Sequence, residues 1–369
     1  MDFLSESTSG GRVLTARHIS PEKALLDETD AVNTTALCNS PDLPDVCSYI
    51  AGLQFYGTVL WVCGAVAVLA IIVLFCVTLK ASIKHRPTLV TQTVFILAVY
   101  PVVAMSSYVA MVVPRARLIS EAIAQQTVML AMFQLFLFIV GDCGGPEQLV
   151  RRAEGAKLET RVLPCCCWPC CVIPRPLLHK KRIFTLRMLV LQMPIVQAVL
   201  YIIILILWAE DPWLYHNNFI YLQPVIAASI LFGVWGIIMS VRAAESAGMK
   251  PRGKFLALQL VLLIVKVQGG TVNFLPKLFY LPCHPPLTPT VYVNLVHNGL
   301  VVLEMLLLSI WAWRLYSVPP SKMSDRIQQV KVVAVLEDSQ PPSLEGRMKD
   351  GVENKCFSGE MRDASYKAL

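Results

Sequence analysis

Residues 54 to 79 read QFYGTVLWVCGAVAVLAIIVLFCVTL, a run without a single charged side chain. About 20 apolar residues suffice for a helix to cross the hydrocarbon core of a bilayer. Six further apolar runs of similar length follow, near residues 88–113, 121–141, 183–208, 218–241, 255–275 and 290–315. The sequence therefore predicts an all-α integral membrane protein, a seven-transmembrane helix bundle within residues 51–316.

The composition supports this fold class. Hydrophobic residues make up 55% of the chain and charged residues only 15%, more apolar surface than a soluble fold of 369 residues can bury. The formal net charge of +7 does not indicate a nucleic-acid partner. The basic residues gather in loops beside the spans, where the positive-inside rule explains them.

The distribution of Lys and Arg predicts the orientation of the bundle. Three alternate loops are rich in basic residues, and the opposite loops carry few, among them Arg115, Arg117 and Lys277. Because basic loops stay in the cytoplasm, we expect an extracellular tail at 1–50, a cytoplasmic loop at 142–182 and a cytoplasmic, disordered tail at 317–369. The basic residues of the three loops are Lys80, Lys84 and Arg86; Arg151, Arg152, Lys157, Arg161, Arg175, Lys180, Lys181 and Arg182; and Arg242, Lys250, Arg252 and Lys254.

The segments predicted to be outside carry features of an oxidising compartment. Asn33 opens an Asn-Thr-Thr glycosylation sequon. Cys38 and Cys47 share its tail, and Cys283 lies in the last outer loop. Three cysteines allow three pairings, so the sequence predicts a disulfide among them without choosing one, and unpaired thiols remain the alternative.

A cysteine cluster lies in the loop predicted to be cytoplasmic: Cys165, Cys166, Cys167, Cys170 and Cys171, interrupted by Trp168 and Pro169. Thiols beside the inner membrane surface are typical sites of S-acylation, which would attach the loop to membrane lipids. Cys167 and Cys170 have zinc-compatible spacing, but a structural zinc site usually needs a second pair. We expect lipidation and no metal, with a metal site or unmodified thiols as alternatives.

Ionisable residues inside the spans are costly and are therefore candidate functional groups. Lys266 and Glu304 each lie about 16 Å from the inner end of their helix at 1.5 Å rise per residue, which suggests that they pair. Gln259, Lys266 and Asn273 recur every seven residues, as do His297 and Glu304. The two polar stripes indicate either a structural ion pair with interhelical hydrogen bonds or a polar lining for an amphipathic anion.

No catalytic arrangement is present in the sequence: no phosphate-binding glycine loop, nucleophile elbow or zinc-protease motif. We therefore expect no enzyme and no cofactor.

Several motifs resemble one family. Gly144, Gly145 and Glu147 precede the run CCCWPCC at 165–171, and Lys254 with Phe255 opens the sixth predicted span. Together with Gln259 and Gln268 in that span, this order resembles the alpha subunit of the organic solute transporter. In that family the cysteines often form an unbroken run, whereas Trp168 interrupts them here.

The resemblance implies facilitated, sodium-independent movement of bile acids, conjugated steroids and related organic anions. It implies a single-span beta subunit as partner and a basolateral plasma membrane location, with passage through the endoplasmic reticulum during assembly. The polar residues expected to line the substrate path are Gln259, Lys266, Gln268, Asn273, Asn294, His297 and Glu304.

Two other classes also have this topology. A G-protein-coupled receptor has an acidic residue followed by Arg at the inner end of its third span, whereas this chain has Gly141, Asp142, Cys143 and Gly144. Its seventh span also lacks the Asn, Pro and Tyr pattern of those receptors. An orphan solute-transporter-like protein with a sensing or trafficking role is the remaining alternative, and the cysteine cluster favours the transporter over it.

Overall fold

The computed structural model of this protein describes residues 46–153, 158–160, 176–271 and 288–317. Regular structure in these residues is helical, and seven of the helices are long and apolar enough to cross a membrane. The predicted fold class is confirmed. The orientation of the two termini stays a prediction.

The helices extend beyond the predicted spans. The third begins at Arg117, one turn before the apolar run at 121, because polar residues can continue a helix into the headgroup region. Within the described residues the α-helices are α1 Val46–His85, α2 Val90–Val112, α3 Arg117–Asp142, α4 Pro146–Arg152, α5 Lys180–Glu210, α6 Pro212–Ser246, α7 Arg252–Leu263 and α8 Pro289–Tyr316.

Proline and capping side chains determine where several helices begin. Pro87 and Pro114 open short 3₁₀ turns that lead into α2 and α3. The Asp211 carboxylate accepts a hydrogen bond from the Trp213 amide at 2.9 Å at the start of α6. The Thr288 hydroxyl accepts one from the Val291 amide at 3.4 Å at the start of α8. Each cap satisfies an amide that lacks a partner in the first helical turn.

The helices α2 and α3 form the centre of the bundle. They pack against each other, with α1 and α8 on one side and the α5–α6 pair on the other. In the most apolar window of each span, 67% of the residues of the α3 span are buried, against 22% in the span that begins with α7. The other described helices therefore cover only a small part of the sixth span, as they do of α1, where 17% of the residues are buried.

The sixth span also changes helix type. The α-helix α7 ends at Leu263 and continues as a π-helical turn at Ile264–Gln268. Prolines within α2, α5 and α6, at Pro101, Pro194 and Pro224, lie inside continuous helices. The Gln126 side chain donates to the Pro194 carbonyl at 3.2 Å and so links α3 to α5.

Candidate functional site

A polar cavity of about 60 Å³ lies between α2, α3, the π-helical turn and α8. Its walls contain Arg117 and Glu121 from α3 and Asn294, His297 and Asn298 from α8, with serine hydroxyls from α2 and α3. Charged groups inside an otherwise apolar bundle are costly and usually mark a functional site. We refer to this space as the polar cavity.

The first turns of α3 place two charges on one wall. Arg117 and Glu121 are four residues apart and therefore lie on the same helical face. The sequence assigned Arg117 to an outer loop, but α3 begins at this residue and carries its side chain into the cavity wall.

The wall contributed by α8 is held by a side-chain network. The Asn298 amide donates to the Asn294 carbonyl at 2.8 Å and to its side-chain oxygen at 3.1 Å, and both residues are buried. The Nδ1 atom of His297 is buried and has no hydrogen-bond partner among the described residues. His297 therefore contributes to the cavity wall a side chain with one nitrogen for which the described residues supply no partner.

Lys266 belongs to a group directly beside the cavity. Its ammonium lies 5.6 Å from the centre of the Tyr201 ring, and the Tyr201 hydroxyl donates to Glu121 at 3.5 Å. Glu121 lines the cavity, as does Val265, the neighbour of Lys266. The Glu121 carboxylate therefore lines the polar cavity and is linked to Lys266 through the Tyr201 side chain.

The expected pairing of Lys266 with Glu304 is wrong. No ion pair between described residues joins them, and a buried oxygen of Glu304 has no hydrogen-bond partner there. The Lys266 ammonium lies instead over the Tyr201 ring of α5, and the π-helical turn at Ile264–Gln268 interrupts the continuous α-helix that the seven-residue spacing assumed.

The structure places the other predicted lining residues as follows. Asn294 and His297 line the polar cavity. Gln259 and Gln268 do not, and each has a buried side-chain oxygen without a hydrogen-bond partner among the described residues. Asn273 lies outside the described residues.

Sequence reasoning missed Glu121, Tyr201 and Asn298. Glu121 could have been found from the sequence, because it follows Arg117 by four residues and would share its helical face. Tyr201 and Asn298 lie inside apolar runs, and only the packing of α3, α5 and α8 relates them to the cavity.

The predicted modification sites lie mostly outside the described residues. These are Asn33, Cys38, Cys283 and the cluster Cys165, Cys166, Cys167, Cys170 and Cys171. Cys47 lies at the exposed start of α1. In the described ranges, no group of three or more His, Cys, Asp or Glu side chains is placed to bind a metal.

The two ends of the cysteine-rich segment are held against the bundle. The Leu158 amide donates to the Pro176 carbonyl at 2.8 Å. The Trp235 indole on α6 donates to the Thr160 carbonyl at 3.0 Å. The loop therefore leaves from and returns to one place beside α6.

Comparison with known proteins decides the family. Residues 59–321 match the family described as Organic solute transporter Ostalpha, which covers more than half of the chain. The chain belongs to the organic solute transporter alpha family. The match begins inside α1 and includes the other six spans and the cysteine cluster, so the resemblance noted in the sequence is confirmed.

Similar proteins carry consistent names. An organic solute transporter alpha-like protein of Drosophila melanogaster is 24% identical over 307 residues, 82% of this chain and 92% of that protein. The organic solute transporter subunit alpha of Danio rerio is 23% identical over 303 residues, 79% of this chain and 92% of that protein. The subunit alpha of Leucoraja erinaceus is 23% identical over 216 residues, 57% of this chain and 61% of that protein.

No solved structure matches this chain. The family membership supports a role as a membrane transporter subunit.

Proposed function

We propose that this chain is the alpha subunit of a heteromeric, facilitative and sodium-independent transporter of bile acids, conjugated steroids and related organic anions. The polar cavity is the observation that carries the proposal. It brings a guanidinium and an imidazole together with asparagine and serine donors inside a bundle that is otherwise apolar. Such a set of donors suits the charged group of an amphipathic anion.

The size of the cavity limits what it can enclose. Drug-sized ligands occupy sites of about 300–1,000 Å³, whereas this cavity measures about 60 Å³. In this conformation it has room for a carboxylate, sulfonate or sulfate group, and the body of a steroid would have to lie outside it. We expect the space to enlarge by movement of the sixth span, which the other described helices cover only in part.

The nature of the neighbouring groups supports selectivity for anions. Arg117 and His297 lie at the cavity, and Lys266 is next to it. Glu121 provides a counter-charge for Arg117 and Lys266 in the absence of substrate, and an arriving anion would compete with it. Facilitated movement of the anion by such competition would require neither a covalent intermediate nor nucleotide hydrolysis.

The names of the relatives support a partner subunit. Two of them are named subunit alpha, which implies a second subunit, and we propose that it is the single-span beta subunit. We place the complex in the basolateral plasma membrane of epithelial cells, assembled in the endoplasmic reticulum. The tail would be glycosylated at Asn33, and acyl chains on the clustered cysteines would attach the loop to membrane lipids.

The deciding experiment is uptake and efflux of a radiolabelled bile acid and a steroid sulfate in cells that express this chain with a beta subunit. We expect saturable flux in both directions that is unchanged when sodium is replaced. Cells with the beta subunit alone are the control. Flux at the control level, with the alpha chain shown at the surface, would contradict the proposal.

The lipid attachment has its own test. Replacing all five clustered cysteines by Ser is expected to abolish acyl-biotin exchange labelling of the chain. A matched variant with Ser at Cys63 and Cys76, which lie in α1, should keep its labelling. Undiminished labelling of the five-cysteine variant would place any lipid elsewhere.

A further inference from the structure

The π-helical turn of the sixth span lies beside the polar cavity and differs from the α-helix before it in its backbone hydrogen bonds. Such turns are rare, are usually single, and occur frequently at functional sites. In this turn the backbone hydrogen bonds run from residue i to i+5, so amides and carbonyls do not match as they do in the preceding α-helix. At the cap that ends the turn, the Gly269 amide donates to the Lys266 carbonyl, only three residues before it.

A side chain from another helix reaches this turn. The Nε2 atom of Gln125, in α3, donates to the Val265 carbonyl at 3.3 Å. Gln125 is only 1% exposed, so no water competes for the bond. A carbonyl within a membrane-spanning segment must find a partner inside the protein, and Gln125 supplies one across the helix interface.

The turn determines where several neighbouring residues lie. Val265 and Gly269 line the polar cavity, Lys266 lies over the Tyr201 ring, and Val267 is 61% exposed on the outer surface of the bundle. Conversion of the turn to an α-helix would shift the register by one residue, which rotates every later side chain by about 100°. Lys266 would then leave Tyr201, and the cavity wall would change.

We infer that Gln125 is a positioning residue that fixes the π-helical turn and thereby holds Lys266 beside Tyr201 and Val265 at the wall of the polar cavity. Gln125 acts through the backbone of the sixth span and not by contact with a substrate. Its effect on transport rests on the proposed function, whereas its effect on the register of the span does not.

The chain offers a matched control. Gln126 also donates from α3 to a backbone carbonyl, that of Pro194 in α5 at 3.2 Å. The variants Gln125→Met and Gln126→Met have similar volumes, and each loses one such bond. They differ in whether that bond reaches the π-helical turn.

The first test measures the register directly. Single cysteines at Val265 and Val267 are treated with iodoacetamide, a small water-soluble reagent, in open membrane fragments of the full chain with its beta subunit, and labelling of that peptide is followed by mass spectrometry. With Gln125 present, the cysteine at 265 should react at least about fivefold faster than the one at 267, because reactivity follows access to water. Gln125→Met should remove this difference, and Gln126→Met should keep it.

The second test measures transport. With equal surface expression, Gln125→Met should raise the KM for a steroid sulfate about fivefold or more with a smaller change in maximal rate, since Lys266 is displaced and not removed. Gln126→Met should leave the KM near that of the parent. If no variant and no parent transports an anion, the proposed function falls, and the labelling result still decides the role of Gln125.

Two results would overturn the inference: an unchanged labelling difference in Gln125→Met, or an equal loss in Gln126→Met. If Gln125→Met does not accumulate, Gln125→Asn gives the same expectation, because its amide is one methylene too short to reach Val265. Failure of both variants to fold, with normal Gln126→Met, would make Gln125 a general structural residue and would also overturn the inference.

Discussion

The ammonium of Lys254, at the start of α7, lies 4.3 Å from the ring centre of Phe138, near the end of α3. The same ammonium is 4.9 Å from the Tyr316 ring at the end of α8. The Arg86 guanidinium also lies over the Phe138 ring, 5.6 Å from its centre, and Arg86 forms an ion pair with Asp142. These contacts join four segments at the end of the bundle that also carries the cysteine-rich loop.

The Lys254–Phe138 contact is expected to stabilise the fold. A desolvated cation over an aromatic face contributes about 0.5–2 kcal/mol. A double-mutant cycle of Lys254→Met and Phe138→Leu, read as thermal stability in detergent, should give a coupling energy in that range. Phe133→Leu, at a buried ring for which no cation contact is found in the described part of the chain, serves as control and should show no coupling to Lys254→Met.

The Arg86–Asp142 ion pair should matter more than the Lys180–Glu147 pair. The first is largely buried, with 21% and 22% of its side chains exposed, and the second is open to water at 68% and 73%. Asp142→Asn should cost about 1.5–3 kcal/mol, as for hydrogen bonds to charged groups. The double variant Arg86→Gln, Asp142→Asn should lose less than the sum of its parts, because it leaves no buried charge.

Glu147→Gln, by contrast, should have no measurable effect on stability at neutral pH and ordinary salt. The hydrogen bond from Lys180 lowers the pKa of the Glu147 carboxyl. Any stabilisation is therefore complete above the ordinary Glu value of about 4.3 and is lost as the pH falls below it. A melting temperature that drops with Glu147→Gln as far as with Asp142→Asn would contradict the role of burial.

Cys143 should resist alkylation in the native protein. Burial, with a smaller contribution from the Asp142 charge, raises the pKa of this thiol to about 11, and the residue is fully buried after the end of α3. Iodoacetamide at pH 8 should label Cys143 only after denaturation, as measured by peptide mass spectrometry. Rapid labelling in native membranes would contradict the packing of this segment.

The two lysines of the sixth span should respond differently to the same substitution. Lys266→Met is expected to lower anion flux about tenfold or more, which corresponds to 1.4 kcal/mol in the rate-limiting step, with surface expression preserved. Lys254→Met is expected to lower stability and surface expression, with flux per surface molecule little changed. Equal losses of flux and expression in Lys266→Met would favour a structural role for that lysine.

The Trp235 hydrogen bond is expected to hold the ends of the cysteine-rich loop against the bundle. Trp235→Phe keeps the ring but loses the hydrogen bond to the Thr160 carbonyl, which contributes about 0.5–1.5 kcal/mol. Amide exchange at Leu158, whose amide donates to the Pro176 carbonyl, should accelerate about two- to tenfold, measured by hydrogen exchange in detergent. The variant Trp311→Phe is the control, since its indole lies on α8 and should leave this exchange unchanged.

Much of the architecture is accessible from local sequence. A run such as 54 to 79 must be helical in lipid, because a membrane-spanning backbone has to satisfy its own hydrogen bonds. The same logic identified the other spans, and the order of Gly144, Gly145 and the cysteines indicated the family. Helix ends were less accessible, since α3 begins at Arg117, where composition alone suggested a loop.

The site was predicted only in part. Asn294 and His297 are in the cavity wall, but Lys266 contacts Tyr201 and not Glu304. The heptad argument assumed one continuous α-helix, and five residues of π-helix invalidate it. Nothing in the local sequence IVKVQ distinguishes the two helix types, because the π-helical turn is supported by a Gln on a different helix.

The sequence by itself determined that this protein is a seven-span helical membrane protein of its family, because hydrophobicity and motif order are local properties of the chain. The tertiary structure decided which polar residues meet. Arg117, Glu121 and His297 share one cavity, and Lys266 stands beside it, since the packing of α3 against α8 and the sixth span brings together residues that are far apart in the chain. The energy of a buried charge depends on its neighbours, and those neighbours are set by the fold.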